Sequence, residues 1–178
     1  MVPGDYLDRM SEVDRTMAET AQYLTLGLAN ETFGISIRNV REILDMRPIS
    51  RLPHAPDFLL GMIDVRGSGY PIVDLRTKLN LPSVAATEAT RIIILDIPMN
   101  DRLVGVGFVA DCVFEVTDID ESKIEPPPSV GGRWKSDYLA GIGRKGDKFV
   151  IIFDLEKLMA AAEMSQYQGT SPGTSAAA

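Results

Sequence analysis

From residue 22 onward, short apolar runs alternate with turn-forming residues along most of the chain. Each run has five to eight residues, is rich in Ile, Val and Phe, and is bounded by Gly, Asn, Asp or Pro. The runs read QYLTLGL, ETFGISI, LGMIDV, GYPIVDL, TRIIILDI, LVGVGFV, CVFEV, LAGIG and KFVIIFDL. Runs of this length and composition are typical of β-strands. The pattern therefore predicts an all-β domain, built as a sandwich or as small barrels.

Helical spacing of apolar residues is confined to a few segments. We predict short helices at 38–44 and 75–79 and a C-terminal helix at 155–164. Residues 1–21 are expected to form an N-terminal extension with a marginal helix. Residues 165–178 are rich in Gly, Ser and Ala and are expected to be a disordered tail, because they offer nothing to pack.

An internal repeat divides the strand-rich region into two similar halves. Shifts of 80 and 73 residues bring matching residues together, and the change of shift falls in a loop rich in Pro and Gly. The matched pairs include Gly61 with Gly141, Asp74 with Asp154, Leu75 with Leu155, Glu42 with Glu115, and Pro53 with Pro126. We expect two similar lobes over about 22–83 and 89–154, sharing one core within a domain of residues 22–164.

The repeat separates residues common to both halves from residues that belong to one half. Asp74 and Asp154 recur before a Leu at a strand end, so we expect them to cap helices rather than to act in catalysis. Arg66 aligns with Gly146, so its charge is specific to the first lobe. Two interpretations of Arg66 stay open. It is a solvated hairpin charge worth at most ~1 kcal/mol, or it pairs with Glu42 and presents guanidinium donors to another protein.

Composition narrows the classes of function. A formal net charge of -7 argues against a nucleic-acid partner and against an anionic membrane surface. Cys112 and His54 are the only residues of their kinds, which excludes internal disulfides and Cys/His zinc sites and fits a reducing, cytoplasmic compartment. The sequence lacks a long apolar run, a phosphate-binding glycine loop and a nucleophile with a base beside it. We therefore expect a binding module rather than an enzyme, with no metal or cofactor.

Four segments carry motifs in a fixed order: FGISIRNVREI, ISRLPHAPDFLLGMIDVRG, PIVDLRTKL and TRIIIL. Together they resemble the CheW-type chemotaxis coupling proteins, over a region from about Gln22 to Met164. The resemblance implies two five-stranded SH3-like barrels around a shared core. It also implies a non-enzymatic adaptor, monomeric in isolation, that joins the cytoplasmic tip of methyl-accepting chemoreceptors to the regulatory domain of the histidine kinase CheA.

The resemblance implies roles for individual residues as well. Glu42 and Arg66 resemble paired charges beside the receptor and kinase surfaces. Val40 resembles an exposed apolar contact at the receptor groove. Gly61 and Gly67 resemble turn positions where another part of the chain approaches closely. On this basis one lobe edge would pack against the kinase domain, while a groove at the lobe junction would accept a receptor helix.

Two isoleucines and one three-residue segment differ from these positions. Ile37 and Ile43 would line either the kinase-facing edge of the first lobe or its core, and both alternatives stay open. The segment Ser68-Gly69-Tyr70 departs from the family, which has bulky aliphatic residues there. Gly69 weakens a strand, and Tyr70 adds an aromatic ring with a polar tip, so we expect the interface to differ at this point.

Two alternative functions are compatible with the sequence. The first is a CheW-like adaptor of another receptor-kinase pathway, with the same fold and a different partner. The second, from a different class, is a small-ligand-binding β-barrel sensor. Such a sensor requires a concave pocket with convergent polar groups, for which the sequence offers Tyr70, Arg66 and Glu42.

Overall fold

The fold is described by a computed structural model that covers residues 20–128 and 138–160. Within these residues the strands are β1 Thr20–Leu28, β2 Glu31–Ser36, β3 Val40–Asp45, β4 Leu59–Val65, β5 Ser68–Asp74, β6 Arg91–Met99, β7 Arg102–Ala110, β8 Cys112–Asp120, β9 Leu139–Lys145 and β10 Lys148–Phe153. The helices are α1 Leu75–Lys78 and α2 Leu155–Ala160, and short 3-10 turns cover Ile37–Asn39 and Glu121–Lys123. The all-β fold class predicted from the sequence is confirmed.

The strands form two sheets with the same internal order. One sheet runs β8-β1-β2-β10-β9 and the other runs β3-β6-β7-β5-β4. Each sheet closes on itself, because a backbone bridge joins the chain beyond one edge strand to the opposite edge strand. The bridge links Glu125 to Ile142 in the first sheet, here called barrel A, and Ser50 to Met62 in the second, here called barrel B.

Each barrel takes strands from both sequence repeats. Strands β1 to β5 come from the first repeat and β6 to β10 from the second, yet barrel A combines β1 and β2 with β8, β9 and β10. The segments 22–83 and 89–154, expected as two lobes, therefore do not correspond to the two barrels. The strands of the two repeats are combined in one sheet by the parallel pairing of β2 with β10, in which Phe33 lies opposite Ile151. The equivalent parallel pair in barrel B joins β5 to β7.

One apolar core joins the two barrels. Its buried members include Leu24, Leu26, Phe33 and Ile35 of barrel A, Ile93, Leu95, Val106 and Phe108 of barrel B, and Leu155, Leu158 and Met159 of α2. Each large aliphatic or aromatic side chain buried in this way contributes roughly 1.5 to 3 kcal/mol. Each barrel also has a smaller cluster of its own, around Tyr70 and Ile72 in barrel B and around Ile119 and Val150 in barrel A, so the shared core lies between two barrel interiors.

Helix predictions have mixed outcomes. The prediction at 75–79 is confirmed as α1, and the one at 155–164 is confirmed as far as the described residues extend, to Ala160. The prediction at 38–44 is wrong, because Val40–Asp45 is a strand and only the preceding turn is helical. The predicted helix in 1–21 and the predicted tail lie outside the described residues.

Helix capping by the two repeated aspartates is confirmed. Asp74 Oδ1 accepts a hydrogen bond from the backbone N–H of Arg76 at 3.0 Å. Asp154 Oδ1 accepts one from the backbone N–H of Lys157, also at 3.0 Å. These bonds satisfy N–H groups that have no partner within the first turn of a helix. Both carboxylates therefore have a structural role at equivalent places in the two repeats.

Candidate functional site

Glu42 and Arg66 form an ion pair on the outside of barrel B. Arg66 Nη2 donates a hydrogen bond to Glu42 Oε1 at 3.0 Å. Glu42 lies in β3 and Arg66 in the turn between β4 and β5, so the pair lies near the line along which the barrel closes. The Arg66 side chain is 81% exposed and that of Glu42 is 24% exposed. The geometry therefore favours the paired interpretation of Arg66, although so exposed a pair stabilises the fold by at most ~1 kcal/mol.

The backbone of Arg66 has a conformation that favours glycine. Its φ is +53° and that of Gly67 is +84°, as in two-residue hairpin turns that require left-handed residues. Gly146, the repeat equivalent of Arg66, has a φ of +59°. A side chain at such a position costs roughly 1 kcal/mol. The arginine is thus held in the turn despite local strain.

The variant Arg66→Gly is expected to unfold with a free energy within about 1 kcal/mol of the wild type, because relief of backbone strain offsets the loss of an exposed ion pair. Urea unfolding followed by circular dichroism measures this. Glu42→Gln is the matched control, since it breaks the same pair without relaxing the turn, and it should be no more stable than Arg66→Gly. A loss above about 2 kcal/mol in Arg66→Gly would mean that the guanidinium supports the barrel.

The aliphatic residues expected at the docking surface are divided between surface and interior. Ile43 is 41% exposed on β3, so the structure places it on the outer edge of barrel B. Ile37 packs partly buried against the shared core. Val40 also packs partly buried against that core, so part of its side chain stays accessible and its role as a contact stays a prediction. Ile43 is thus the apolar residue of this set that a partner can reach most directly.

Tyr70 is not part of the surface. Its side chain is 7% exposed and packs inside barrel B with Ile63 and Ile72. This placement corrects the expectation that Tyr70 changes an interface by direct contact. It also separates Tyr70 from the external Glu42 and Arg66 pair, so these three residues do not converge on one ligand pocket. The polar groups proposed for a small-ligand sensor are therefore not brought together.

A second ion pair in barrel A was missed by the sequence analysis. Lys145 and Glu115 form a salt bridge, and Glu115 is the repeat equivalent of Glu42. The cation lies one residue before Gly146, the position aligned with Arg66, so a position-by-position comparison overlooked it. A paired charge on the outer face is therefore common to both barrels. Two features of the sequence together were the available signal: Glu115 repeats Glu42, and the basic segment GRKGDK occupies the place of the Arg66 turn in the second repeat.

The surroundings of the two ion pairs differ in chemistry. Beside the barrel A pair, the exposed apolar side chains are Phe114, Val116 and Phe149. Arg144 lies over the Phe149 ring, with 4.9 Å between its Cζ and the ring centroid. The barrel B pair has the aliphatic Ile43 instead. The two barrels therefore present equivalent positions with different side chains, aromatic in one case and aliphatic in the other.

Two cavities occupy equivalent places on either side of the barrel junction. The larger, about 390 Å³, is lined by residues that include Tyr23, Asn39, Ile97, Ala140, Phe153 and Glu156. The smaller, about 230 Å³, is lined by residues that include Leu60, Asp74, Arg76, Val109 and Asp111, and by the linker residues 83–86. The repeat places Leu60 on Ala140 and Arg76 on Glu156. The junction thus has a wider groove on one side and a narrower one on the other.

A bidentate ion pair closes the narrow side. Arg76 donates from Nε to Asp111 Oδ1 at 2.9 Å and from Nη2 to Asp111 Oδ2 at 2.6 Å. Its Nη1 also donates to the carbonyl of Pro82 in the linker at 2.7 Å. Asp111 in turn accepts from the backbone N–H of Ala29 at 3.0 Å and donates its own N–H to the carbonyl of Gly27. We call this arrangement the Arg76–Asp111 clasp.

Stability is expected to depend on the charge of Asp111. The hydrogen bonds from Arg76 lower the pKa of the Asp111 carboxyl; burial opposes this shift, and the Ala29 N–H adds to it. Asp74 is the other carboxylate near Arg76. A folded pKa below the unfolded value of about 3.9 means that the clasp stabilises the protein above that pH. The contribution is lost as the pH falls through the folded pKa.

Asp111→Asn is therefore expected to be less stable than the wild type at pH 7, and to lose less stability than the wild type between about pH 5 and about pH 2. Urea midpoints measured across this range test the expectation. Asp147→Asn is the control, since it removes an exposed carboxylate from the turn between β9 and β10. Identical acid profiles for the wild type and Asp111→Asn would contradict the assignment.

Comparison with known proteins identifies the family. A model of the CheW-like domain matches residues 22–163. The chain belongs to the CheW family. The chemotaxis protein CheW of Klebsiella aerogenes is 34% identical over 158 residues, covering 88% of this chain and 93% of that protein. Protein FrzA of Myxococcus xanthus is 29% identical over 133 residues, covering 72% of this chain and 80% of that one.

A solved structure extends the comparison to the fold. The crystal structure of scaffolding protein TtCheW from Thermoanaerobacter tengcongensis matches with a TM-score of 0.70 and 31% sequence identity, covering 80% of this chain and 94% of that one. The expected CheW-type fold is confirmed, and so is the expected class of function, an adaptor or scaffold of chemotaxis. No helix in the described part of the chain is long and apolar enough to cross a membrane.

Proposed function

We propose that this protein is a non-catalytic, cytoplasmic adaptor that joins the cytoplasmic tip of methyl-accepting chemoreceptors to the regulatory domain of the histidine kinase CheA. The observation that carries the proposal is the Glu42–Arg66 pair on the closing edge of barrel B, where strand β3 also exposes Ile43. This edge therefore offers both charged and apolar side chains. A monomer in isolation would leave this surface free for a partner protein.

The barrel B edge suits the kinase contact. The one described hydrogen bond of the Arg66 guanidinium uses Nη2, and a guanidinium has five N–H donors in all. Glu42 holds the group in place, so the remaining donors are oriented before a partner arrives. Arg in a fixed orientation is well suited to partly desolvated, bidentate contacts at interfaces. Ile43 supplies apolar area on the same edge strand.

The wider junction groove suits the receptor contact. It has a volume of about 390 Å³, and its lining includes the exposed apolar residues Pro98 and Ala140 as well as the polar residues Asn39 and Glu156. A chemoreceptor tip is a helical hairpin, and an amphipathic helix can lay its apolar face into such a groove. Receptor and kinase would then bind at separate places on one small domain. This separation is what an adaptor requires.

Titration of the wild type and of Arg66→Gly against the CheA regulatory domain from the same cell tests the kinase contact. We expect Arg66→Gly to bind about tenfold more weakly, which corresponds to about 1.4 kcal/mol. Lys145→Ala is the matched control, because it removes the cation of the equivalent pair in barrel A. A folded wild type that binds neither the kinase domain nor a receptor-tip fragment would refute the proposal.

An adaptor of another receptor-kinase pathway is the second candidate. The observation that favours it is the similarity to FrzA, which carries a name of its own among relatives named CheW. The same titration separates the two candidates when it includes the regulatory domain of every CheA-type kinase in the cell. Preference for a kinase outside the chemotaxis pathway by tenfold or more would assign the protein to that other pathway.

A further inference from the structure

The Arg76–Asp111 clasp has no counterpart on the other side of the barrel junction. The repeat places Arg76 on Glu156 and Asp111 on Arg38, so the equivalent pair would have the two charges exchanged. Arg38 and Glu156 are both exposed, and the described contacts contain no ion pair between them. The wider groove lies on this side. The junction is therefore fastened by polar contacts on one side and open on the other.

The clasp joins parts of the chain that belong to different barrels. Arg76 lies in α1, directly after β5 of barrel B. Asp111 connects β7 of barrel B to β8 of barrel A, and it bonds Gly27 at the end of β1 and Ala29 in the turn after it, both in barrel A. The Arg76 side chain is only 12% exposed. Solvent therefore screens this guanidinium much less than it screens that of Arg66, while Asp111 is 31% exposed and Glu42 24%.

The shared core holds the two barrels together, and its buried side chains are close-packed. The hydrophobic term itself is non-directional, so directional polar contacts at the rim of the core add to what packing alone specifies. A bidentate arginine-carboxylate pair is directional, because two parallel N–H···O bonds hold the two planar groups in register. Because the clasp lies at the junction, its geometry constrains the angle between the barrels.

We propose that Arg76 and Asp111 are positioning residues that set the orientation of barrel A relative to barrel B. They touch neither candidate docking surface. They hold the angle at which the Glu42–Arg66 surface of barrel B stands to the junction groove. Building on the adaptor role proposed above, this angle determines how binding of a receptor tip in the groove is transmitted to a kinase domain on the barrel B edge.

A distance measurement tests the positioning without any partner. Cysteines replace Ser68 and Asp147, which are exposed on the β4–β5 and β9–β10 hairpins of the two barrels, in a Cys112→Ser background. Spin labels on both give a distance distribution by double electron-electron resonance. We expect a single narrow distribution in this parent and a broadened or shifted one in Arg76→Met and Arg76→Lys. Methionine keeps the aliphatic stem, and lysine keeps the charge without the planar fork.

Arg91→Met is the matched control, because it removes an arginine-carboxylate pair that lies within barrel B, between Arg91 and Asp45. Its distribution should equal that of the parent. An unchanged distribution in Arg76→Met, or an equal broadening in Arg91→Met, would overturn the proposal. If Arg76→Met does not fold, Asp111→Asn, which preserves the shape of the side chain, is judged by the same criterion.

A binding measurement tests the consequence for coupling. In Arg76→Lys, the affinities for a receptor-tip fragment alone and for the kinase regulatory domain alone should stay within about threefold of the wild type, while the cooperativity between them falls about tenfold. A purely local structural role would lower the single affinities as well. If the wild type binds neither partner, the adaptor proposal fails, and the distance measurement still decides the positioning role on its own.

Discussion

Replacing Gly61 by alanine is expected to lower the free energy of unfolding by about 3 kcal/mol. A Cβ at Gly61 would lie 2.1 Å from the carbonyl oxygen of Ser50, and the residue has a φ of +145°, which side chains rarely adopt. The neighbouring Met62 exchanges two backbone hydrogen bonds with Ser50, at 2.8 and 2.9 Å. These bonds close barrel B, so the methyl group would push apart the two segments that complete it.

Chemical unfolding of Gly61→Ala beside Gly69→Ala provides the comparison. Gly69 lies in the neighbouring strand β5, is exposed, and would meet only the flexible end of Met62 at 3.1 Å, so its replacement should change stability by less than about 1 kcal/mol. Gly141→Ala should fall between the two, since its Cβ would lie 2.7 Å from the carbonyl oxygen of Glu125. Wild-type stability in Gly61→Ala would mean that the Ser50 bridge does not hold barrel B closed.

The interleaving of the barrels could not be predicted from the repeat. A repeat shows that two segments form similar strands, but it does not show which copy of a strand pairs with which. Pairing β2 with β5 or with β10 would satisfy the same apolar pattern, because the two partners are copies of each other. The choice depends on the parallel pairing of Phe33 with Ile151 and on the core shared between barrels, which are features of the assembled fold.

The segment 38–44 was predicted as a helix for a local reason. Strand β3 has a bulge between Val40 and Glu42, where the pairing with β6 shifts by one residue. A bulge interrupts the two-residue period of a strand, so Val40, Ile43 and Leu44 recur at a spacing that resembles a helix. The residues before the strand added to the helical pattern, because Ile37–Asn39 does form a short helical turn.

The candidate site was only partly accessible to sequence reasoning. The Glu42–Arg66 pair was one of two open interpretations, because an arginine in an exposed hairpin turn can be solvated or paired, and local sequence does not distinguish the two. The burial of Tyr70 was within reach, because period-two alternation puts Tyr70 on the same face of β5 as the buried Ile72. The Arg76–Asp111 clasp could not be predicted. Asp111 lies in the turn after β7, and the position of that turn relative to α1 depends on the exchange of strands between the repeats.

Tyr70 and Gly105 are expected to be energetically coupled. A Cβ at Gly105 in β7 would lie 2.6 Å from Cε1 and 2.9 Å from Cδ1 of the Tyr70 ring in β5. Gly105→Ala should therefore destabilise the wild type by about 1 to 3 kcal/mol, through crowding in the interior of barrel B. In a Tyr70→Leu background the same change should cost less than about 0.5 kcal/mol, since the smaller side chain leaves room for the methyl group. Urea unfolding of the four proteins gives the coupling energy.

Gly107→Ala is the matched control, because it lies on the same strand and its Cβ would meet Ile72 at 2.4 Å rather than Tyr70. The loss of stability caused by Gly107→Ala should be the same in the Tyr70→Leu background as in the wild type. Additive losses for Tyr70→Leu and Gly105→Ala would mean that the ring moves aside without strain. Coupling would locate the effect of the Ser68-Gly69-Tyr70 departure in the packing of barrel B. In that case a folded Tyr70→Leu should bind the kinase domain within about twofold of the wild type, because a buried ring offers no contact to a partner.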